Sequence, residues 1–221
     1  MPSLVGSEMC IRDREIMDTA YVYDPIYLEH DLPSHPENAR RLKRILSTLE
    51  DKGMLARLRL LKPRPATDEE LQRVHTAEHI ERVRRVAEAG GGYLDPDTYV
   101  APRSYEAALM AAGGVVRAVE AVLAGEVANA FALVRPPGHH ATATRAMGFC
   151  LFNNIAVAAR AALAIGPVKR VFIADFDVHH GNATYDTFAS DPDVFYFSTH
   201  QYPYYPGTGH WKETGYGAGE G

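Results

Sequence analysis

The residues best suited to chemistry lie in the run DFDVHHG over residues 175–181, directly after the apolar stretch VFIA. If a strand continues through this run, side-chain alternation places Asp175, Asp177 and His179 on one face. Two carboxylates and an imidazole at the end of a buried strand are unfavourable unless a cation or hydrogen bonds compensate them. The run therefore predicts a metal-binding face.

A second polar run, RPPGHHA, covers residues 135–141. Its two prolines stiffen the backbone and Gly138 permits a tight turn, so a rigid loop presents His139 and His140. Adjacent histidines cannot share one face of a helix, but from a loop both can point into one cavity. Because the histidine pKa lies near neutrality, such a pair can take up and return protons during hydrolysis.

The segments that must position these runs alternate between strands and helices. Strands are predicted over 19–23, 56–61, 128–134, 168–175 and 194–199, and helices over 34–53, 68–89, 103–124 and 153–165. The first helix is predicted to open at Ser34 with a serine cap, a proline in the first turn and Glu37 completing the cap. Residues 95–102 are predicted to be a loop.

Apolar strands separated by helices favour an α/β fold with a mainly parallel sheet between two helical layers, a three-layer α/β/α arrangement. Ligand sites in such sheets lie beyond the carboxyl ends of the strands. Both polar runs follow predicted strands, so we expect them to meet at that edge.

Composition excludes several classes of protein. With 221 residues, 46% of them hydrophobic and 23% charged, the chain can bury the core of one domain. Its net charge of -5 gives no attraction to nucleic acid or anionic lipid. No apolar segment approaches the roughly 18 to 20 residues that span a membrane, and the amino terminus lacks a signal-peptide layout, so we expect a cytoplasmic protein.

The two cysteines, Cys10 and Cys150, lie far apart in the sequence and form no CxxC motif. This spacing argues against a disulfide framework and against a zinc ribbon. We interpret Cys150 as a small buried hydrophobic residue.

The two ends of the sequence differ from the rest. Residues 1–18 show no periodicity that joins the following pattern, and we predict a non-native-looking or disordered segment there. Residues 19–221 are predicted to form part of a single domain. Because the run GYGAGEG over 215–221 stops inside a glycine-rich loop, we expect the amino-terminal portion of a longer domain.

Four runs in the same order resemble the histone deacetylase family, with its class II and bacterial members and the acetylpolyamine amidohydrolases nearest. They are RPPGHH at 135–140, GFCLFNN at 148–154, DFDVHHGN at 175–182 and YPGTG at 205–209. The resemblance spans about residues 19–221. It implies an arginase/deacetylase-like fold, incomplete at the carboxyl end, and a zinc-dependent hydrolase that uses metal-activated water to remove acetyl groups from acetyl-lysine or acetylpolyamine.

The resemblance assigns the metal ligands. Asp177 and His179 match two zinc ligands, and this donor set would also accept Fe²⁺ or Co²⁺. The family's third ligand, an aspartate, and its oxyanion-stabilising tyrosine belong to a segment beyond Gly221. We therefore expect the chain as given to be a poor enzyme or none.

His139 and His140 match the family's proton-handling pair. Asp175 would hydrogen-bond His139, and Asn182 would support His140. An asparagine cannot stabilise an imidazolium as a carboxylate does. We therefore predict that His140 is the more acidic of the two and acts as the general base, while His139 acts electrostatically.

The resemblance also implies a substrate tunnel. Phe149 and Tyr205 match the two aromatic side chains that wall it, and Gly148 lies on its floor. Asp97, in the loop before the third helix, would lie at the rim and hold the substrate backbone or a polyamine nitrogen.

The resemblance also implies that the protein binds structural potassium ions. The family's site near the zinc would use oxygens of Asp175, Asp177, His179, Ser198 and Thr199. A second site would use the backbone carbonyls of Phe188, Asp191 and Val194.

Two other interpretations stay open. One is a different arginase-like amidohydrolase, although the DxDxHH run with a separate GHH pair differs from the arginase pattern DxHxD. The other is a catalytically silent protein that binds an acetylated ligand. The sequence leaves a homo-oligomer, the native metal and the physiological substrate open.

Overall fold

The computed structural model describes residues 18–220. The predicted segment 1–18 therefore lies outside the described residues except for Asp18, and Gly221 lies outside them too. The carbonyl of Asp18 accepts a hydrogen bond from the backbone N–H of Ala128 at 3.1 Å, beside the first strand.

Strands and helices alternate along most of the described chain. The strands are β1 (Thr19–Val22), β2 (Arg59–Leu61), β3 (Gly92–Asp95), β4 (Thr98–Val100), β5 (Asn129–Ala132), β6 (Val171–Asp175) and β7 (Val194–Ser198). The helices are α1 (Ala39–Asp51), α2 (Asp68–Gln72), α3 (Ala77–Glu88), α4 (Ser104–Leu123), α5 (Asn154–Ala164) and α6 (Asn182–Phe188), with 3-10 turns at Pro25–Leu28, Leu55–Arg57 and Gly217–Gly219.

The strands that carry the site are parallel, as predicted. One sheet has the order β2-β1-β5, and β6 pairs with β7 in a second. Within residues 18–220 the two sheets do not pair with each other, and an apolar groove lies between β5 and β6. Val134 lines it from one side and Phe172 and Phe176 from the other, with Phe176 largely exposed. Strands β3 and β4 form a separate antiparallel hairpin.

Helices α4 and α5 pack together against the sheets. Both are rich in alanine, and small side chains let the two backbones approach closely. Gly113 of α4 lies so close to the backbone of residues 64–66 that a Cβ atom there would collide with it. These two helices were predicted over 103–124 and 153–165, and both predictions are confirmed within two residues.

Several local predictions are wrong. The strand predicted over 56–61 is shortened to β2, because Leu55–Arg57 forms a 3-10 turn. The first helix begins at Ala39 rather than at Ser34, because Asn38 caps it by accepting the N–H of Arg40 at 2.9 Å. The helical stretch 68–89 is broken between α2 and α3, where Thr76 caps the second piece. The loop predicted over 95–102 contains β4, and α6 was not predicted.

No helix among residues 18–220 is both long enough and apolar enough to cross a membrane.

Candidate active site

The loops that follow β5 and β6 bring the two polar runs together. The strand does not continue past Asp175, contrary to the expected alternation. Instead, Asp175 Oδ1 accepts the N–H of Asp177 at 3.1 Å, and Asp177 Oδ1 accepts the N–H of His179 at 2.8 Å. Two successive aspartate turns of this kind shape the loop. Asp175 contacts His139, whereas Asp177 and His179 contact each other.

His139 is anchored by a carboxylate. Its Nδ1 lies 2.9 Å from Asp175 Oδ2, which also accepts the hydroxyl of Tyr196 at 3.0 Å. Burial raises the pKa of Asp175, but hydrogen bonds with His139, with the Asp177 N–H and with Tyr196 outweigh it and leave the pKa lowered. The carboxylate therefore stays ionised beside His139.

His140 is anchored by an amide. Its Nδ1 lies 2.8 Å from Asn182 Oδ1, and its ring centroid lies 4.0 Å from that of His139. Because an amide oxygen only accepts, the hydrogen-bond pattern assigns the proton to Nδ1 and leaves Nε2 as the basic nitrogen. Burial, helped by the charge of His139, lowers the pKa of His140 to about 4, so the ring is neutral near pH 7. That His140 is the more acidic of the two histidines stays a prediction.

The predicted zinc ligands lie side by side. Asp177 Oδ1 is 3.2 Å from His179 Nδ1, and both side chains are partly exposed, at 49% and 43%. A carboxylate next to an imidazole suits zinc. Among residues 18–220, however, no third histidine, cysteine, aspartate or glutamate joins them in a metal-binding group. The described residues thus fit a zinc ion with two ligands.

Three residues of the predicted potassium site, Asp175, Ser198 and Thr199, lie on neighbouring strand ends. Strand pairing sets Asp175 opposite Ser198, and the Asp175 carbonyl accepts the N–H of Thr199 at 3.0 Å. The Ser198 hydroxyl is 2.8 Å from His200 Nδ1. These contacts hold the segment without a cation, so the site stays a prediction. So does the second site, predicted at Phe188, Asp191 and Val194.

Tyr205 closes one side of the histidine cluster. Its ring meets His140 edge to face at 5.1 Å between centroids and His179 at 5.8 Å. Burial raises the pKa of Tyr205 to about 12, so its hydroxyl stays protonated. The structure thus places this predicted tunnel residue against both histidines.

Gly148 and Phe149 occupy a tight turn on another side of His140. Gly148 has φ +56°, and a Cβ atom there would lie 2.5 Å from Cδ2 of the His140 ring. Phe149 has φ +70°, a conformation that is costly for a bulky residue, and its N–H is held by the Thr98 hydroxyl at 3.1 Å. The strain persists because the surroundings fix the turn.

The segment 142–153 that carries this turn is pinned by two histidines that sequence reasoning missed. His75 Nδ1 lies 2.9 Å from the Thr142 carbonyl, and its Nε2 accepts the Asn153 N–H at 2.8 Å. His79 Nε2 lies 2.9 Å from the Leu151 carbonyl. Neither residue lies in a polar run, so only their four-residue spacing at the start of α3 could have suggested a shared role.

Asp97 lies in the turn of the β3–β4 hairpin. Its side chain is 69% exposed, and one carboxylate oxygen lies 3.1 Å from His35 Nε2. The hairpin also carries Thr98, which holds Phe149. The hairpin therefore links Asp97, the predicted rim residue, to Phe149, a predicted tunnel residue.

Cys150 is fully buried, as interpreted from the sequence, and burial raises the pKa of its thiol well above the usual range. We expect iodoacetamide at about pH 8 to leave Cys150 unmodified in the folded protein. In about 6 M urea, which unfolds a typical domain, Cys150 should be fully alkylated. Peptide mass mapping separates Cys150 from Cys10. Rapid labelling of Cys150 in folded protein would contradict the inert-thiol interpretation.

Comparisons with known proteins show the family to which the chain belongs. A family model described as "Histone deacetylase domain" matches residues 35–221. The chain belongs to the histone deacetylase family. The predicted resemblance is thereby confirmed.

Among family members, the chain is 42% identical over 208 residues to a "Probable deacetylase" of Archaeoglobus fulgidus, covering 93% of this chain and 57% of that protein. It is 50% identical over 166 residues to a "Histone deacetylase-like amidohydrolase" of Pseudomonas aeruginosa, covering 75% and 43%. The chain thus spans about half the length of these two relatives.

A solved structure, "Crystal Structure of HDA15 HD domain", superposes with a TM-score of 0.89 at 42% identity, covering 93% of this chain and 60% of that one. The predicted α/β, deacetylase-like fold class is confirmed by this similarity.

Proposed function

We propose that the full deacetylase domain hydrolyses N-acetylated amines, either acetyl-lysine or acetylpolyamine, with zinc held in part by Asp177 and His179. Fe²⁺ or Co²⁺ would suit the same donors. One observation carries the proposal. Two adjacent histidines are each anchored at Nδ1, by Asp175 and by Asn182, immediately beside the carboxylate–imidazole pair.

A zinc ion bound there would act as a Lewis acid and would lower the pKa of water. His140 supplies the base, because its Nδ1 carries a proton and its Nε2 is free to take one up. His139, hydrogen-bonded to the Asp175 carboxylate, would act electrostatically, and His140 would pass the proton that it takes from water to the departing amine. The two rings thus have different electrostatic surroundings, which supports the predicted division of labour.

The side chains around the histidines fit an extended acyl-amine. Phe149 and Tyr205 offer apolar faces for a methylene chain, and Gly148 leaves room beside His140 because it has no side chain. Asp97 stands farther out with an exposed carboxylate. We propose that it binds backbone amides of a peptide or a nitrogen of a polyamine.

The remaining parts of the proposal follow the family resemblance. A third zinc ligand and an oxyanion donor are proposed to come from outside residues 18–220, and loss of such a donor typically lowers the rate about 10²- to 10³-fold. The chain as given would then be a weak catalyst. Structural potassium and a cytoplasmic location belong to the same proposal.

The test uses protein expressed from the complete gene. We expect one zinc per chain by elemental analysis, and acetate release from an acetyl-lysine peptide or an acetylated diamine. Asp177→Asn should lose both zinc and acetate release, whereas His140→Ala should keep the zinc and lose the release. His210→Ala, beside the exposed Trp211, is the matched control and should keep both.

Other outcomes decide between the alternatives. Bound zinc without acetate release in the unaltered protein would favour the silent protein that binds an acetylated ligand. Acetate release that survives Asp177→Asn would contradict the zinc-ligand assignment.

A further inference from the structure

We propose that His35 is a positioning residue for substrate binding, which fixes the Asp97 carboxylate and the Phe149 ring at the mouth of the site. Through them, His35 would favour substrates that carry an N–H group beyond the acetylated amine. The inference deepens the proposed function and rests on it.

His35 is a buried histidine whose ring nitrogens both have polar neighbours. Its Nδ1 lies 3.1 Å from the N–H and 3.1 Å from the carbonyl of Glu37, and its Nε2 faces the Asp97 carboxylate, which only accepts, so Nε2 carries a proton. That Nε2–H points at Asp97 Oδ1, 3.1 Å away. The imidazole is therefore a donor aimed from the protein interior at a carboxylate that is mostly in solvent.

Asp97 is held on one side only. Among residues 18–220, the His35 imidazole is the one side-chain partner of its carboxylate, through Oδ1, and Oδ2 has no hydrogen-bond partner. The exposed oxygen is thus available to an N–H donor from outside. A fixed carboxylate loses less conformational freedom on binding than a freely rotating one, which favours affinity.

The same imidazole supports the tunnel aromatic. The His35 ring meets Phe149 edge to face, with centroids 4.7 Å apart and planes at 88°. It also meets Tyr99 at 5.0 Å. Phe149 needs such support because its backbone lies in the left-handed region. One ring therefore couples the rim carboxylate to the tunnel wall.

Stability alone does not account for the contact. A pair with one highly exposed partner contributes little to folding, about 0 to 1 kcal/mol in typical cases. The arrangement does fix the direction of the Asp97 carboxylate relative to Phe149. The geometry therefore points to recognition of the group that emerges from the tunnel, such as a peptide backbone.

The test compares two substrates of the enzyme expressed from its complete gene. One is an acetyl-lysine peptide, and the other is N-acetylbutylamine, which has no further N–H group. His35→Phe keeps a ring against Phe149 and removes the donor. We expect KM for the peptide to rise about tenfold, the size of one weakened hydrogen bond, with kcat unchanged. Both constants for N-acetylbutylamine should stay the same.

Two further variants separate positioning from a structural role. Asp97→Ala should raise the peptide KM at least as much, and the double variant should be no worse than Asp97→Ala alone. His35→Gln, whose amide can donate, should recover part of the loss. Equal effects on both substrates, or additive effects in the double variant, would overturn the proposal.

A binding readout separates this inference from the proposed function. The dissociation constant of a fluorescent acetyl-lysine peptide is measured by anisotropy for the same proteins. Absence of hydrolysis in the unaltered enzyme would refute the proposed function. A weaker peptide complex in His35→Phe would still support the positioning role, and an unchanged dissociation constant would overturn it.

Discussion

Replacing Arg135 by methionine is expected to lower the free energy of unfolding by about 3 to 5 kcal/mol, the usual cost of breaking a buried ion pair. Glu37 is completely buried, and the Arg135 side chain is 5% exposed. Nε and Nη2 of Arg135 donate to the two carboxylate oxygens, both at 2.6 Å, and Nη1 donates to the Tyr27 carbonyl at 2.8 Å. Without the guanidinium, the buried carboxylate keeps only a longer contact, at 3.4 Å, with the exposed Arg41 side chain. Urea unfolding followed by circular dichroism measures the loss.

Two controls test this cause. The double variant Glu37→Leu with Arg135→Met removes both charges and should be more stable than Arg135→Met alone. Arg84→Met breaks exposed pairs with Glu81 and Glu88 and should change stability by about 0.5 kcal/mol or less. A double variant that loses the sum of both single effects would contradict the buried-charge explanation.

This ion pair shows what sequence reasoning could not reach. Glu37 was interpreted as part of a helix cap, since it follows Ser34 at the spacing of a capping box. Its partner, Arg135, lies 98 positions later. Local residue spacing cannot predict this pair, because it forms only when the loop before α1 packs against the loop after β5.

The elements with strong periodicity were predictable. Helices α4 and α5 consist of long runs of small and apolar residues, so their helical pattern depends little on tertiary contacts. The parallel strands were predictable for a similar reason, since each is short, apolar and separated from the next by a helix. The contacts of His139 with Asp175 and of His140 with Asn182 are those that the family resemblance implied.

Side-chain hydrogen bonds to the backbone are the reason that local sequence patterns failed to predict the loops of the site. The aspartates after β6 bend the chain into turns, so strand alternation stops at Asp175. The left-handed backbone of Phe149 depends on Thr98, about fifty positions earlier. His35 and His75 likewise contact segments that are distant in the sequence, so local patterns could not reveal their supporting roles.

Acidification is expected to destabilise the protein from about pH 6 downward, before the carboxylates begin to titrate. Burial, strengthened by the charge of Arg135, lowers the pKa of His30 to about 3 from an unfolded value near 6.5. Burial, with a contribution from His79, lowers the pKa of His75 to about 3. Between those values the unfolded chain binds a proton at each histidine and the folded protein does not.

The sign follows from this difference in bound protons. The contribution of each neutral histidine is fully present above pH 6.5, and falls by about 1.4 kcal/mol per pH unit as the pH drops toward 3. Two such residues remove up to about 5 kcal/mol between pH 6 and pH 4, a large part of a typical domain's stability. We expect the midpoint of acid unfolding to fall in that interval.

Urea unfolding at half-unit steps from pH 7.5 to pH 4.5 measures the slope. His30→Asn keeps a side-chain amide near the Ser104 hydroxyl, which lies 2.6 Å from His30 Nδ1. It should reduce the slope by about a third at most, because His75 and His140 also have lowered pKa values in the folded protein. His210→Asn, beside the exposed Trp211, controls for the loss of a histidine as such and should leave the slope unchanged. If His30→Asn only lowers stability equally at every pH, the buried histidine is not the cause. Acid sensitivity would then have to arise from the carboxylates, whose titration begins near pH 4.5.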